Sequence, residues 1–303
     1  GLTQKNPVMV AAGTFGRDGY GAGLPTGLNF QNLGGIVAKT TTLKPRQGNP
    51  PPRIVHGHGW TLNSIGLENP GIEVVLREHA PIWAHWQVPV ILSIAGERLE
   101  DFGCLAATAD GVPGIAALEI NISCPNVEGG LEFGQSPQFT RDVTQLIRES
   151  TELPVIVKLS PNVTNIVAIA QAASAGGAHA LSLTNTLTGM ALDPQTRRPS
   201  LGATTGGISG SALKPVALTM VYRVYQAVDI PIIGVGGIST HQDALEFLLA
   251  GARAVQVGTA NFVDPWTPIN LLSALKSHLT RLKITSVANL TGSGNMQSPS
   301  KLP

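Results

Sequence analysis

The 303-residue sequence predicts an α/β fold, a (β/α)8 TIM barrel with long loop insertions on its active face. Two observations support this prediction: eight short apolar runs recur along the chain, and helical patterns separate several of them. The runs are continuous rather than alternating, which is typical of parallel strands that helices cover. Eight units in this length fit a closed barrel better than a doubly wound sheet. That runner-up would need an early GxGxxG turn, which the chain lacks.

The predicted strands each end in small or polar residues. In chain order they span residues 8–11, 35–39, 88–93, 117–122, 155–158, 180–184, 230–236 and 254–258. Apolar residues at helical spacing predict helices over 138–150, 165–175, 213–228, 240–250 and 267–282. Gly176 and Gly251 follow two of them, as is common at helix C-termini. We expect one barrel domain over residues 1–288 and a disordered polar tail over 289–303.

Three connections are too long to be simple turns. Residues 40–61 contain four prolines, while residues 125–136 and 186–212 are rich in glycine. In a barrel the loops that follow the strands form the active face. We therefore expect these connections to cover a ligand rather than to be plain surface insertions.

Composition excludes several classes of protein. A net charge of +1 without a basic block argues against nucleic acid as a partner. No apolar run reaches the roughly 18 residues that span a bilayer, and the N-terminus lacks the apolar segment of a signal peptide. Two cysteines make no disulfide framework, and no cysteine–histidine cluster suggests a metal site. A reducing, cytoplasmic setting is the simplest expectation.

Polar side chains follow the predicted strands, and in a barrel they would meet at one cavity. They include Thr14, Lys39, Thr40, Ser93, Asn121, Ser123, Cys124, Lys158, Thr184 and Asn185. Both lysines need an anionic or polar partner, because a buried unpaired ammonium is costly. One lysine could pair with an internal carboxylate, but two of them beside several asparagines favour an anionic ligand.

Glycines follow the last two strands as Gly236-Gly237 and Gly258-Thr259. Backbone N–H groups there can approach a phosphate, so we expect a phosphorylated substrate or flavin mononucleotide (FMN). Ser239 or Thr240 could instead serve only as the cap of the next helix. Residues 62–71 could approach a flat ligand through Asn63 and Gly66, or could form only the turn before a helix near Ile72.

Cys124 ends an apolar run and is one of two cysteines. A lone cysteine is more often a small hydrophobic residue than a nucleophile, base or metal ligand. A position at a barrel mouth, near two lysines and a phosphate site, favours chemistry instead. Cys104 lies in an apolar helical run and is expected to contribute packing only.

In combination, these segments resemble the class 1 dihydroorotate dehydrogenases, most closely the class 1B catalytic subunit, over about residues 6–279. The matching motifs are AGTFG at 12–16, AKTTT at 38–42, PRQGNPPPR at 45–53, NSIGLENPG at 63–71, NISCPN at 121–126, KLSP at 158–161, NT at 185–186, GISG at 207–210 and GGI at 236–238.

The resemblance implies an FMN-containing barrel that oxidises dihydroorotate to orotate in pyrimidine biosynthesis. Cys124 matches the active-site base. Substrate contacts match Lys39, Asn63, Ser64, Ile65, Gly66, Leu67, Asn121, Asn126, Asn185 and Thr186. Flavin contacts match Thr14, Lys39, Thr40, Ser93, Asn121, Lys158, Thr184, Gly210, Gly236, Gly237, Gly258 and Thr259. The chain departs from the class 1B pattern at Ser93, where Asn is usual, at Thr184, where an apolar residue is usual, and over 55–60.

Class 1B resemblance also implies partners. The chain would form a homodimer that joins, in a heterotetramer, a separate subunit carrying FAD and an iron-sulfur cluster, and that subunit would pass electrons to NAD. A class 1A enzyme would instead be a stand-alone homodimer that reduces fumarate. Two alternatives outside these classes are a phosphosugar isomerase without flavin and a non-catalytic flavin- or pyrimidine-binding module.

Overall fold

The computed structural model describes residues 2–123 and 133–294. Their strands, in chain order, are β1 (Val8–Val10), β2 (Gly35–Thr41), β3 (Ile54–Gly57), β4 (Trp60–Asn63), β5 (Val90–Ile94), β6 (Ala117–Asn121), β7 (Val155–Leu159), β8 (Ala180–Leu183), β9 (Leu187–Met190), β10 (Leu192–Asp193), β11 (Arg198–Pro199), β12 (Thr205–Ser209), β13 (Ile232–Val235) and β14 (Ala254–Val257).

Eight of these strands close into a parallel barrel in the order β1-β2-β5-β6-β7-β8-β13-β14. They coincide, within two residues at each end, with the eight predicted strands. The predicted (β/α)8 barrel is therefore confirmed. Closure brings the carboxyl ends of all eight strands to one mouth, so the polar residues that follow them share one face of the molecule.

Helices cover the outside of the barrel. They are α1 (Ile72–Val74), α2 (Ala80–Trp83), α3 (Leu99–Ala109), α4 (Pro137–Ser150), α5 (Ile166–Ala175), α6 (Lys214–Tyr225), α7 (His241–Ala250), α8 (Ala260–Val263) and α9 (Thr267–Arg281), with a π-helical turn, Val75–His79, between α1 and α2. Four of the five predicted helices agree to within one residue, and α6 ends three residues early. Asn165 caps α5 by accepting a hydrogen bond from the Ala168 backbone N–H.

Alternate residues of each strand face the interior of the barrel, where they form an apolar layer and, above it, a polar layer. A separate apolar cluster contains Met9, Val37, Ile91, Ala117, Ile156, Ile233 and Ala254. Two residues further along β5, β6, β7 and β14, the buried inward-facing residues are polar: Ser93, Glu119, Lys158 and Gln256. The strand residues between these positions pack outward into the large cluster shared with the helices.

The two long connections around 40–61 and 186–212 contain strands that the sequence did not predict. β3, β4, β12 and β9 form an antiparallel sheet in that order, with Asn63 opposite Gly207 and Gly206 opposite Gly189. β10 and β11 form a separate hairpin. The strands of the antiparallel sheet have only four or five residues, and three of them contain glycine. They therefore lack the long runs of β-branched residues from which strands are predicted.

Two further expectations meet the structure here. Cys104 lies on α3, but its side chain is exposed, so the prediction that it contributes core packing is wrong. Within residues 289–294 of the expected tail, the backbone N–H groups of Gly292 and Gly294 donate to the carbonyls of Leu248 and Leu249 of α7. The remaining tail residues lie outside the described part. Within that part, no helix has the length and apolar character needed to cross a lipid bilayer.

Candidate active site

A cavity of about 1430 Å³ lies between the mouth of the barrel and the small antiparallel sheet. Its wall includes many of the residues singled out in the sequence: Thr14, Lys39, Asn63, Ile65, Lys158, Thr184, Asn185, Thr186, Gly210, Gly236, Gly237, Gly258 and Thr259. These residues come from both ends of the chain, and barrel closure brings them together. The cavity can hold a ligand larger than a single small ring.

Lys39, on β2, places an ammonium group in the cavity wall. Its stem packs against two glycines, since a Cβ added at Gly13 would lie 3.2 Å from Lys39 Cδ and one added at Gly19 would lie 2.9 Å from Lys39 Cβ. Burial lowers the pKa of Lys39, and the charge of Glu68 offsets only part of that effect. No carboxylate of the described residues lies within ion-pair distance of Lys39. An anion in the cavity would therefore find a cation already in place.

Lys158, on β7, is the second cation of the cavity, but it has a protein partner. Its Nζ lies 3.5 Å from Oε1 of Glu119, whose side chain is fully buried inside the barrel. The other carboxylate oxygen of Glu119 accepts hydrogen bonds from Ser182 and Gln256. The alternative of an internal carboxylate is thus correct for Lys158, whereas Lys39 keeps the charge that an anionic ligand requires.

Side-chain amides form a connected group beside the lysines. Asn185 Nδ2 donates to Asn121 Oδ1 at 3.1 Å and to Ser123 Oγ at 3.0 Å, and Asn185 Oδ1 accepts from the Thr186 N–H at 2.8 Å. Asn162 fixes the next segment by donating to the Thr186 carbonyl and accepting from the Thr188 N–H. The geometry of these amides is thereby held without a ligand, which suits recognition of a planar, amide-containing ring.

Glycine loops after β13 and β14 form a candidate phosphate site. Gly236 and Gly237 have positive φ values of 129° and 71°, and a Cβ at Gly237 would lie 2.7 Å from the Cβ of Lys214. The backbone N–H groups of Gly236, Gly237, Gly258 and Thr259 donate to no backbone carbonyl of the described residues. They line the cavity wall and suit an anion.

Asp243 holds the loop that leads into α7. Its carboxylate accepts hydrogen bonds from the backbone and side chains of Ser239 and Thr240 and pairs with Lys214 at 2.8 Å. Burial would raise the pKa of Asp243, but the bonds from Lys214, Ser239 and Thr240 outweigh it and lower the pKa to about 2. Thr240 is the helix cap, as one of the sequence alternatives expected. Because Thr240 caps α7, the N–H groups of Gly236 and Gly237, which precede it, are not needed for capping and can bind a ligand.

Comparison with known proteins adds the family. The family model for dihydroorotate dehydrogenase matches residues 1–279. The chain belongs to the dihydroorotate dehydrogenase family. Membership confirms the family predicted from the motifs and the assignment of the chain as an oxidoreductase.

Relatives in the dihydroorotate dehydrogenase family cover almost the whole chain. A protein of Desulforudis audaxviator (strain MP104C) is 53% identical over 296 residues, 97% of this chain and 95% of that protein. One of Geotalea uraniireducens (strain Rf4) is 51% identical, covering 96% and 95%. One of Geobacillus sp. (strain WCH70) is 47% identical, covering 96% and 93%. All three are named "Dihydroorotate dehydrogenase B (NAD(+)), catalytic subunit".

Some residues matched to the dihydroorotate dehydrogenase pattern do not line the cavity. Thr40 and Ser93 are buried and hydrogen-bonded to each other at 2.9 Å, while Ser64 accepts from Asn49. Gly66, Leu67 and Asn121 also do not line the cavity. Cys124 and Asn126 lie outside the described residues.

Other polar residues around the site had no role predicted from the sequence. Buried Asn69 accepts from the backbone of Thr42 and Gly71 and donates to Thr42 Oγ1 and the Leu67 carbonyl, so it holds the 63–71 segment against the barrel. Asn261 similarly donates to Thr14 Oγ1 at 2.8 Å. Glu119 is the third such residue. The only sequence indication of its role was a charged residue inside an apolar run.

Proposed function

We propose that this member of the family is an FMN-containing catalytic subunit that oxidises dihydroorotate to orotate in pyrimidine biosynthesis. One observation carries the proposal: a single cavity combines a desolvated ammonium that has no carboxylate partner among the described residues, a fixed group of asparagine amides and a glycine-lined phosphate cradle. A phosphosugar site would need the cradle and a cation but not the preset amides.

FMN fits the residues present. Its phosphate would lie against the N–H groups of Gly236, Gly237, Gly258 and Thr259, which donate to no backbone carbonyl of the described residues. Buried Thr184 Oγ1 has no hydrogen-bond partner in the described part of the chain and would be satisfied by a polar group of the cofactor. Bound FMN would supply the hydride acceptor for C6 of dihydroorotate.

Lys39 and the asparagines would bind the substrate. The ammonium of Lys39 would attract the substrate carboxylate, since the described residues offer it no carboxylate partner. Asn63 and the Asn121–Asn185 pair would read the amide edges of the ring, because each side-chain amide both donates and accepts. Ser64, Ile65, Gly66, Leu67, Asn126 and Thr186 are proposed as further substrate contacts.

Cys124 is proposed as the base that removes the C5 proton. It comes three positions after Asn121, the last residue of β6. Asn121 accepts a hydrogen bond from Asn185, which lines the cavity. A thiol has a reference pKa of about 8.5 and must be partly thiolate to act as a base. Lys158 is proposed to stand beside the flavin as a fixed cation. Further flavin contacts are proposed at Thr14, Thr40, Ser93 and Gly210.

A partner subunit is proposed to take the electrons. Relatives at about 50% identity are named "Dihydroorotate dehydrogenase B (NAD(+)), catalytic subunit", and the words "catalytic subunit" support a separate partner subunit. The proposed complex is a homodimer of this chain joined to a subunit that carries FAD and an iron-sulfur cluster. The purified chain alone would then reduce neither NAD nor fumarate at a useful rate. Fumarate reduction by the isolated chain would instead support the class 1A alternative.

Anaerobic titration of the flavin-loaded protein with dihydroorotate tests the proposal. We expect bleaching of the flavin absorbance in wild type and almost none in Cys124→Ala, which should still retain FMN. Cys104→Ala is the matched control, because it removes the exposed cysteine and should bleach like wild type. A colourless protein would favour the phosphosugar alternative, and a yellow protein that never bleaches would favour a binding module. Normal bleaching by Cys124→Ala would overturn the role of that thiol.

A further inference from the structure

The carboxylate of Glu119 lies in the barrel interior, below the cavity. Glu119 is on β6, between inward-facing Ala117 and Asn121, and its side chain is 0% exposed. The three groups that surround its carboxylate come from three other strands: Lys158 on β7, Ser182 on β8 and Gln256 on β14. The Glu119 side chain therefore links four of the eight barrel strands: β6, β7, β8 and β14.

The two oxygens of Glu119 are treated differently. Oε2 accepts from Ser182 Oγ at 3.0 Å and from Gln256 Nε2 at 2.8 Å. Oε1 faces Lys158 Nζ at 3.5 Å and has no hydrogen-bond donor among the described residues. Oε2 is thus anchored to the barrel, and Oε1 is turned toward the ammonium of Lys158, which also lines the cavity.

Stability alone gives a weak reason for this arrangement. A buried ion pair recovers little more than the desolvation of its two charges, and an apolar pair of similar volume often serves as well. The position of Lys158 offers a better reason. Its side chain is 10% exposed and reaches the cavity wall, so its charge acts on whatever is bound there. A carboxylate on the opposite side would hold that charge in place and weaken its field.

We propose that Glu119 is a positioning residue that holds the Lys158 ammonium at the floor of the cavity and thereby sets the reduction potential of the bound flavin. The inference rests on the proposed function, since it requires FMN in this cavity. Glu119 lowers the potential, because it draws the Lys158 ammonium toward the barrel interior, whereas an ammonium released into the cavity would stabilise the reduced, more negative flavin.

The midpoint potential of the flavin-loaded protein tests the inference. Glu119→Gln keeps the shape and removes the charge, so the potential should rise by about 30 mV, which is a tenfold change in the ratio of reduced to oxidised flavin for two electrons. In a Lys158→Met background, the same substitution should shift the potential by less than a third of that. An equal shift in both backgrounds would show that Glu119 acts without Lys158 and would overturn the inference.

Gln256→Leu gives an independent result of opposite sign. It removes one donor to Oε2 while the carboxylate charge stays, so more of that charge acts on Lys158 and the potential should fall. If Glu119→Gln does not yield folded, flavin-loaded protein, the sign of the Gln256→Leu shift decides alone: an unchanged or higher potential would overturn the inference.

Thr144→Val controls for loss of a buried polar group. Thr144 is fully buried on α4, away from the cavity, and donates only to the Thr140 carbonyl. Thr144→Val should lower the stability of the protein and leave the flavin potential unchanged. If Glu119 had only a structural role, Glu119→Gln would also lower the stability and leave the potential unchanged. A wild-type protein that binds no flavin would refute the proposed function. Wild type that binds and bleaches, with an unmoved potential in Glu119→Gln, would refute only the role of Glu119.

Discussion

Lys39→Met should weaken ligand binding and stabilise the ligand-free protein at the same time. The substitution removes an ammonium that burial desolvates and that has no carboxylate partner in the described residues, while a similar apolar stem remains. A charge without a partner lowers the stability of the folded state until an anion arrives. Binding and folding therefore respond to this side chain with opposite signs.

The loss of orotate affinity can be estimated from the contact proposed for Lys39. A hydrogen bond to a charged group contributes about 1.5–3 kcal/mol. Its removal should raise the Kd of orotate by about 10- to 150-fold. The measurement is a titration of the flavin-loaded protein with orotate, followed through the flavin spectrum.

The effect on stability has a definite pH dependence. The folded-state pKa of Lys39 lies below its unfolded value of 10.5. Below the lowered pKa both states are protonated, so the penalty is present in full. As pH rises through the lowered pKa toward 10.5, the folded state releases its proton first and wild type gains stability. The Met variant has no such gain, so its advantage over wild type should shrink across that range.

Urea unfolding of flavin-free protein at pH 7 and near pH 10 measures this advantage. Lys44→Met is the matched control, because it removes an exposed lysine five residues away. It should change neither the orotate Kd nor the pH dependence by more than the error. The reasoning about Lys39 would be refuted if Lys39→Met were less stable than wild type at pH 7 or if orotate bound to it normally.

Two further predictions concern the loop before α7. Asp243→Asn should cost about 0.5–1.5 kcal/mol at pH 7, because it weakens the hydrogen bonds that the carboxylate accepts from Ser239, Thr240 and Lys214. That difference should shrink as pH falls from 3.8 to about 2, because wild-type Asp243 is then protonated too; equal differences in urea midpoint at pH 7 and pH 2.5 would contradict this. Gly237→Ala should reduce bound FMN, whereas Gly111→Ala, which has a similar φ of 66° and no atom within 4 Å of the added Cβ, should lose stability but keep its FMN. Equal FMN content in both variants would refute a cradle at Gly237.

The barrel could be predicted from sequence because its strands are buried on both faces. Such strands are continuous apolar runs, and five of the eight are followed by a helix with its own 3.6-residue pattern. The sheet over the cavity lacks this property. Its strands are four or five residues long and include glycines such as Gly189 and Gly207, and β4 pairs with β12 from a segment more than 100 residues away. No local pattern encodes that pairing.

Side-chain environment was harder to predict than position. Cys104 occupies an apolar helix, as expected, yet it faces solvent, because one residue's place on a helix of small side chains is poorly defined by hydrophobic spacing. The polar residues that hold the segments around the site in place were missed for a related reason. Asn69 and Asn261 act through hydrogen bonds to distant backbone and side chains, which only the folded chain brings near.

Lys39 and Lys158 show where sequence reasoning about this site ends. Both lie near the carboxyl ends of buried strands, both line the cavity and both carry the same charge, so the sequence does not distinguish them. The structure separates them through Glu119, which lies across the Lys158 ammonium and leaves Lys39 without a partner in the described chain. A charge that is already paired changes little on ligand binding and acts as a steady field, which suits a cofactor. An unpaired charge gains most from an arriving anion, which suits a substrate. The two lysines are therefore expected to affect different quantities: Lys39 the affinity for orotate, and Lys158 the potential of the flavin.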